Sequence, residues 1–251
     1  MFGWIRHRRR QRLMALPFPT SWNAILKQCA SFFWHLDEAD QARIRARIQV
    51  FVREKNWEGC GGQIMEDTQR VTIAAQMARM TLGLPDEWFD AVRSILLYPD
   101  TYVAKSRDML GSTLVEGNSA RLGEAWYRGP VILAWADVLA TAQHPQFPRN
   151  VIIHEFAHQL DMRNGSHADG VPAIESAAVA EQWLAVLNRE FQRLTTLCQS
   201  GTPSLLDCYG ATNRAEFFAV ASEAYFQQPG ALQHQWPELF TQLHGFYQRV
   251  P

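Results

Sequence analysis

The sequence predicts an α+β fold, with several packed helices around a small mixed sheet. Three observations carry that prediction. Long stretches repeat their apolar residues at helical spacing, as in 181–198, where Trp183, Leu184, Leu187, Phe191 and Leu194 share one side. Between Ala91 and Ala136 the pattern changes to short runs rich in β-branched and aromatic residues, bounded by Pro99-Asp100 and Gly129-Pro130. Soon after comes VIIHEFAHQLD (Val151–Asp161), apolar nearly all round yet holding His154, Glu155 and His158. Short strands gathered ahead of such a helix indicate a layered α+β arrangement.

At 251 residues the chain is long enough for a substantial core. With no internal repeat, low-complexity tract or linker, one domain over 1–251 is expected. An apolar share of 47% and a charged share of 20% are those of an ordinary soluble globular protein. A net charge of −1 excludes a nucleic-acid polycation, so no direct nucleic-acid partner is expected. Cys29, Cys60, Cys198 and Cys208 are scattered without a C-x-x-C pair and read as reduced thiols. Residues 13–19 are too short and proline-interrupted for a signal-peptide core, and no run reaches the roughly 18 apolar residues of a membrane span. A cytoplasmic location with no membrane partner follows as the expectation.

Taken in order, residues 1–12 combine Arg6, Arg8, Arg9, Arg10 and Arg12 with little to bury. They read as a mobile basic arm, the alternative being contact with an acidic partner or nucleic acid with Trp4 and Ile5 as anchors. From Asp37 acids open a helix whose Ile44, Ile48 and Phe51 or Val52 form one stripe. WEGCGG (57–62) interrupts it, and residues 66–82 resume a helix. Ser94–Tyr98, 101–104 and 131–136 are the expected strands. The last is read either as a buried core strand or as a sheet edge that holds an extended peptide by strand addition. Asp137 caps a short helix ending before Pro145, Pro148 opens the next helix, and Asn164-Gly165 closes it. A loop (166–173) precedes the helix over 181–198. Tyr209-Gly210 then leads into a helix over Arg214–Gln227, and 239–247 forms the last helix.

His154, Glu155 and His158 spell H-E-x-x-H. Four apart on a helix, the two histidines share a face and can each direct a ring nitrogen at one Zn²⁺ ion, at about 2.0–2.1 Å. Glu155 is turned about 100° away, beside the ion rather than on it, where it can take a proton from an attacking water. The alternative is a surface helix carrying these residues by coincidence. Against it stand the apolar flanks Val151, Ile152, Ile153, Phe156, Ala157 and Leu160, which suit a buried element whose polar groups need partners.

A catalytic zinc ordinarily keeps three protein ligands and an open position, so a third ligand is required. The metzincin continuation needs a glycine where Asp161 stands and a histidine where Asn164 stands, and is excluded. His167 lies in the following loop. Asp161 shares the face of His158 but points past the ion, which suits a supporting role. Glu216 and Glu223, seven apart on one helix face, are both candidates for the carboxylate of a gluzincin-type site. Asn213-x-x-Glu216 also fits a capping box that would return the Glu216 carboxylate to the helix start. Glu223, flanked by Ala221, Ala224 and Phe226, suits a place behind a ligand histidine, accepting from its second ring nitrogen.

Five stretches give the chain a broader likeness: FVREKNWEGCGG (51–62), RVTIAAQ (70–76), GEAWYRGPVILAW (123–135), VIIHEFAHQLD and YGATNRAEFFAVASEAYF (209–226). With them it resembles the Mlc titration factor A family of bacterial zinc metallopeptidases. The resemblance implies a zincin-like, gluzincin-type domain with one zinc ion on His154, His158 and Glu216, the glutamate lying seven residues after an active-site tyrosine that maps onto Tyr209. It implies Glu155 as general base and Tyr209 as hydrogen-bond donor to the oxyanion. It further implies aminopeptidase-type activity on small peptides. Binding of the transcriptional repressor Mlc, which relieves repression of sugar phosphotransferase genes and is associated with raised peptidase activity, is implied as well. Asn213 departs from the family, which commonly carries an acid there; this bears on the groups around the ligands. The alternatives are a repressor-sequestering protein whose peptidase activity is secondary, and a structural zinc closed by a fourth ligand such as His167.

Overall fold

The computed structural model describes residues 2–100, 129–143, 147–165, 167–174 and 176–248. Helices α1 (Phe2–Met14), α2 (Thr20–Cys29) and α3 (Glu38–Glu54) lead into strand β1 (Asn56–Gly59), helix α4 (Asp67–Met80) and strands β2 (Ser94–Tyr98) and β3 (Val131–Ala134). Helices α5 (Trp135–Gln143), α6 (Val151–Asp161), α7 (Ala177–Gln199), α8 (Arg214–Gln227), α9 (Pro229–Gln235) and α10 (Pro237–Tyr247) complete the described chain.

Local chemistry explains several helix starts. Asp37 accepts from the Asp40 N–H at 2.8 Å, and Glu66 closes a reciprocal capping box with Gln69. The amino-terminal residues differ from the expected mobile arm: Phe2–Met14 is helical and docked. Arg10 is only 6% exposed, pairing with Glu54 at 2.8 Å and with Asp90, while Arg6 reaches Asp90 at 2.7 Å. Those acids lie 44 and 80 positions downstream of Arg10, beyond the range of any local pattern.

The sheet order is β1-β2-β3, with Asn56 opposite Ser94 and Ile95 opposite Val131. Both pairings are parallel, so among the described residues the sheet is parallel rather than mixed. Parallel neighbours need a long crossover, and the segment between β1 and β2 contains α4. Strand β1 overlaps the stretch read as an interruption; three of its four residues are exposed, so it lacks an apolar signature. The run 131–136 stops being a strand at Ala134, because Trp135 opens α5, and Asp137 lies in that helix's first turn. The strand expected at 101–104 lies outside the described residues.

Two buried cations shape the bend before β2. Arg47 donates to the carbonyls of Leu84, Pro85 and Glu87, and the Lys55 ammonium to those of Trp88, Phe89 and Val92. Neither side chain leaves its donors bare in the interior. Behind the sheet the core is continuous through α4, α6 and α8, with Ile73, Met77, Phe156, Phe217 and Phe218 fully enclosed. Helix α10 docks on α8, where the Tyr247 hydroxyl donates to Ser222.

The cysteine expectation is overturned at one pair. Cys198 and Cys208 form a disulfide, their Cα atoms 5.7 Å apart, whereas Cys29 and Cys60 are free. Ten positions separate the bonded pair, and the chain reverses between them through Gly201 at φ +66°. No helix among the described residues is long and apolar enough to cross a membrane.

Candidate metal centre

Helix α6 starts later than Pro148. Asn150, wholly buried, is its N-cap and accepts from the Ile153 N–H at 3.1 Å. One turn on, His154 and His158 stand on one face with ring centroids 4.9 Å apart. Helix α8 begins with the side chain of Asn213 accepting from the Glu216 N–H at 2.9 Å. The Glu216 carboxylate does not fold back on that start: its Oε2 lies 3.0 Å from His154 Nε2 and 3.4 Å from His158 Nε2.

One ligand atom from each of His154, His158 and Glu216 falls within 4.8 Å of the others, the single such group among the described residues. Four donors at zinc-ligand distance from a tetrahedral centre would stand roughly 3.4 Å apart, so the two imidazoles and the carboxylate fit a divalent cation. The charge balance agrees. Glu216 and Glu223 are both about nine-tenths or more buried, and a cation offsets their charge. Without metal a proton takes that part. Burial disfavours the His154 imidazolium, but hydrogen bonds to Glu216 and Glu223 outweigh it and raise its pKa. Burial likewise disfavours the Glu216 carboxylate, and its bonds to both histidines reverse the balance and lower its pKa.

Glu223 lies where the sequence reading expected it. Its Oε1 stands 2.7 Å from His154 Nδ1, and its Oε2 accepts from the Asn150 N–H at 2.5 Å. A carboxylate accepts here, so Nδ1 donates to Glu223 and leaves Nε2 as the atom at which a metal would take the place of a proton. His158 Nδ1 is buried with no hydrogen-bond partner among the described residues. Glu155 is half-buried beside the two histidines; desolvation lifts its carboxyl above the usual range, which suits a proton acceptor.

Tyr209 sits in the 3-10 turn Cys208–Ala211, next to the disulfide. Its ring centroid is 5.9 Å from that of His154, and Asp207 caps the turn by accepting from the Tyr209 N–H at 2.9 Å. A Cβ on Gly210 would meet Leu194 at 3.1 Å and Val220 at 3.3 Å, so the turn lies tight on α7 and α8. His167 is exposed and outside the three-residue group.

Sequence reasoning missed two supports. Asn150, overlooked as a cap, ties α6 to Glu223; its place before an apolar run was the available signal. The other is Gly170, the partner of Asp161 in the seam after α6, although a supporting role for Asp161 itself was read from the sequence. Buried Asp161 accepts from the Gly170 N–H at 2.8 Å, and Trp183 donates to the Gly170 carbonyl at 2.9 Å. Gly170 has φ +83°, and a Cβ there would lie 2.6 Å from the Arg214 carbonyl oxygen at the start of α8. No short motif marks that contact.

A buried helix presenting paired histidines to a carboxylate from a second helix, with an acid alongside, defines the class as a metallopeptidase. Residues 4–248 match the family described as glucose-regulated metallo-peptidase M90, and the chain belongs to that family. A protein of Synechocystis described as uncharacterized is 35% identical over 246 residues, covering 97% of this chain and 89% of its own length. Mlc titration factor A of Yersinia pestis is 31% identical over 220 residues, covering 86% of this chain and 80% of the relative, and that of Yersinia pseudotuberculosis gives the same figures.

Proposed function

We propose that this metallopeptidase is a zinc-dependent peptidase of aminopeptidase type, in a zincin-like domain of gluzincin kind, with His154, His158 and Glu216 as ligands of one Zn²⁺ ion. The chemistry such an ion supplies when bound is Lewis acidity toward the scissile carbonyl and a lowering of the pKa of water toward about 7. Glu155 takes the proton of the attacking water and delivers it to the leaving amine. Tyr209 donates from its phenol to the oxyanion that develops on the former carbonyl oxygen. Glu223 keeps the proton on His154 Nδ1 and so aims Nε2. The observation that carries this reading is the convergence of three donor atoms from two helices, with the raised carboxyl of Glu155 at their side.

Metal analysis paired with hydrolysis of an aminoacyl chromophore tests it. One zinc per chain is expected in both wild type and Glu155→Gln, with turnover only in wild type and only without chelator. Undiminished hydrolysis by Glu155→Gln would defeat the assignment.

The name of the Yersinia relatives, Mlc titration factor A, supports a second activity. In this reading the chain binds an Mlc-type transcriptional repressor protein in the cytoplasm and modulates sugar phosphotransferase gene expression, with peptide hydrolysis secondary. Repressor capture by Glu155→Gln is then expected to equal that by wild type.

A further inference from the structure

Helix α1 docks through one face and leaves the opposite one open. Arg10 points inward to Glu54 and Asp90, with Arg6 beside it. At about 100° per residue, Trp4, Ile5, Arg8 and Arg12 point away from Arg10, and Arg9 flanks them. Trp4 is 61% and Ile5 57% exposed, and the three arginines are exposed as well. None of those arginines forms an ion pair among the described residues. The Arg8 guanidinium lies 4.0 Å over the Trp4 ring, and all five residues line one shallow recess together with Leu13. Helix α1 itself carries no acid, although the whole chain has a net charge of −1.

We propose that this face is a docking surface for an anionic lipid bilayer. Helix α1 lies in the plane of the interface, with Trp4 and Ile5 sunk among the headgroups and Arg8, Arg9 and Arg12 on the lipid phosphates. Charge complementarity selects an anionic partner, and the apolar pair selects lipid among anionic partners. A nucleic-acid backbone would engage the arginines but leave Ile5 in water. A bilayer interface takes the isoleucine into the acyl boundary, holds the indole at headgroup level and accommodates the arginine stems. Two apolar anchors make the attachment shallow, reversible and salt-sensitive. Each cation contributes about fivefold to partitioning, so the three together account for a factor on the order of 100.

Co-sedimentation of the full chain with vesicles tests this. Wild type is expected to bind phosphatidylglycerol–phosphatidylcholine vesicles at low salt, to dissociate at high salt and to bind pure phosphatidylcholine weakly. The triple variant Arg8→Gln, Arg9→Gln, Arg12→Gln should lose on the order of 100-fold in partitioning. Trp4→Ser with Ile5→Ser should also release the protein. Arg6 and Arg10 are retained in every variant, and circular dichroism with thermal melting verifies the fold. If the triple variant does not fold, the Trp4/Ile5 variant and the salt titration of wild type still decide. Absence of binding to the anionic vesicles at low salt, or binding indifferent to both sets of substitutions, overturns the proposal. Preferential capture of an RNA oligonucleotide or a polyglutamate peptide through the same arginines also overturns it.

Discussion

Glu223 uses both carboxylate oxygens, one on His154 Nδ1 and one on the Asn150 N–H, so the same group sets a histidine's tautomer and the start of its helix. Around it, His154, Glu155 and His158 were legible in the sequence because one helical turn brings them together. The choice between Glu216 and Glu223 was not legible from spacing alone. It depends on how α8 is rotated against α6, across 62 and 69 positions. At the same scale, Tyr209→Phe is expected to lower kcat by roughly 10²-fold, as for loss of one oxyanion donor, with little change in KM. Steady-state hydrolysis measures this, and a nearly wild-type kcat would remove Tyr209 from the chemistry. Asp161 yields a pH prediction. Burial lifts its carboxyl to about 7 from an ordinary 3.8. The folded chain therefore holds a proton that the unfolded chain has released, and stability falls as pH rises from about 4 to about 7. Asn at 161 still accepts from Gly170 but cannot ionise. Urea midpoints of the metal-free Asp161→Asn variant should be flatter across that window than those of wild type; an equal slope refutes the assignment.

At the scale of elements, α8 explains why amphipathic reading is blind to its orientation. Every residue over 216–226 is buried, so no polar stripe marks a solvent face. Its limits were legible nonetheless, since Asn213 caps a helix that runs Arg214–Gln227 as expected. Helix α2 was not foreseen: it follows Pro19 and has no side-chain cap. The disulfide joins the end of α7 to the turn that carries Tyr209. Replacing both Cys198 and Cys208 by Ser frees a short loop in the unfolded chain and should cost roughly 2–3 kcal/mol. Denaturant titration under non-reducing conditions checks this, and an unchanged midpoint would show the bond to be energetically idle.

For the molecule as a whole, the α+β class was legible from the order of helical and extended patterns. The parallel strand order was not, because crossovers leave no local trace. The proposed ligands come from α6 and α8, so ion binding favours the folded chain over the unfolded one. Removal of the ion by chelator is expected to lower Tm by roughly 5–15 °C, as for a ligand held at a few hundred times its Kd in a domain of this size. Scanning calorimetry with and without chelator measures the shift, and an unaltered Tm would separate the site from stability. The seam at Gly170 gives this coupling an outside control. A single methyl group there would act as a shim against the first turn of α8, the helix that carries Glu216, without altering Glu216 or either histidine. The hold of the proposed ligands on an ion would thereby be adjustable from a position that never meets it.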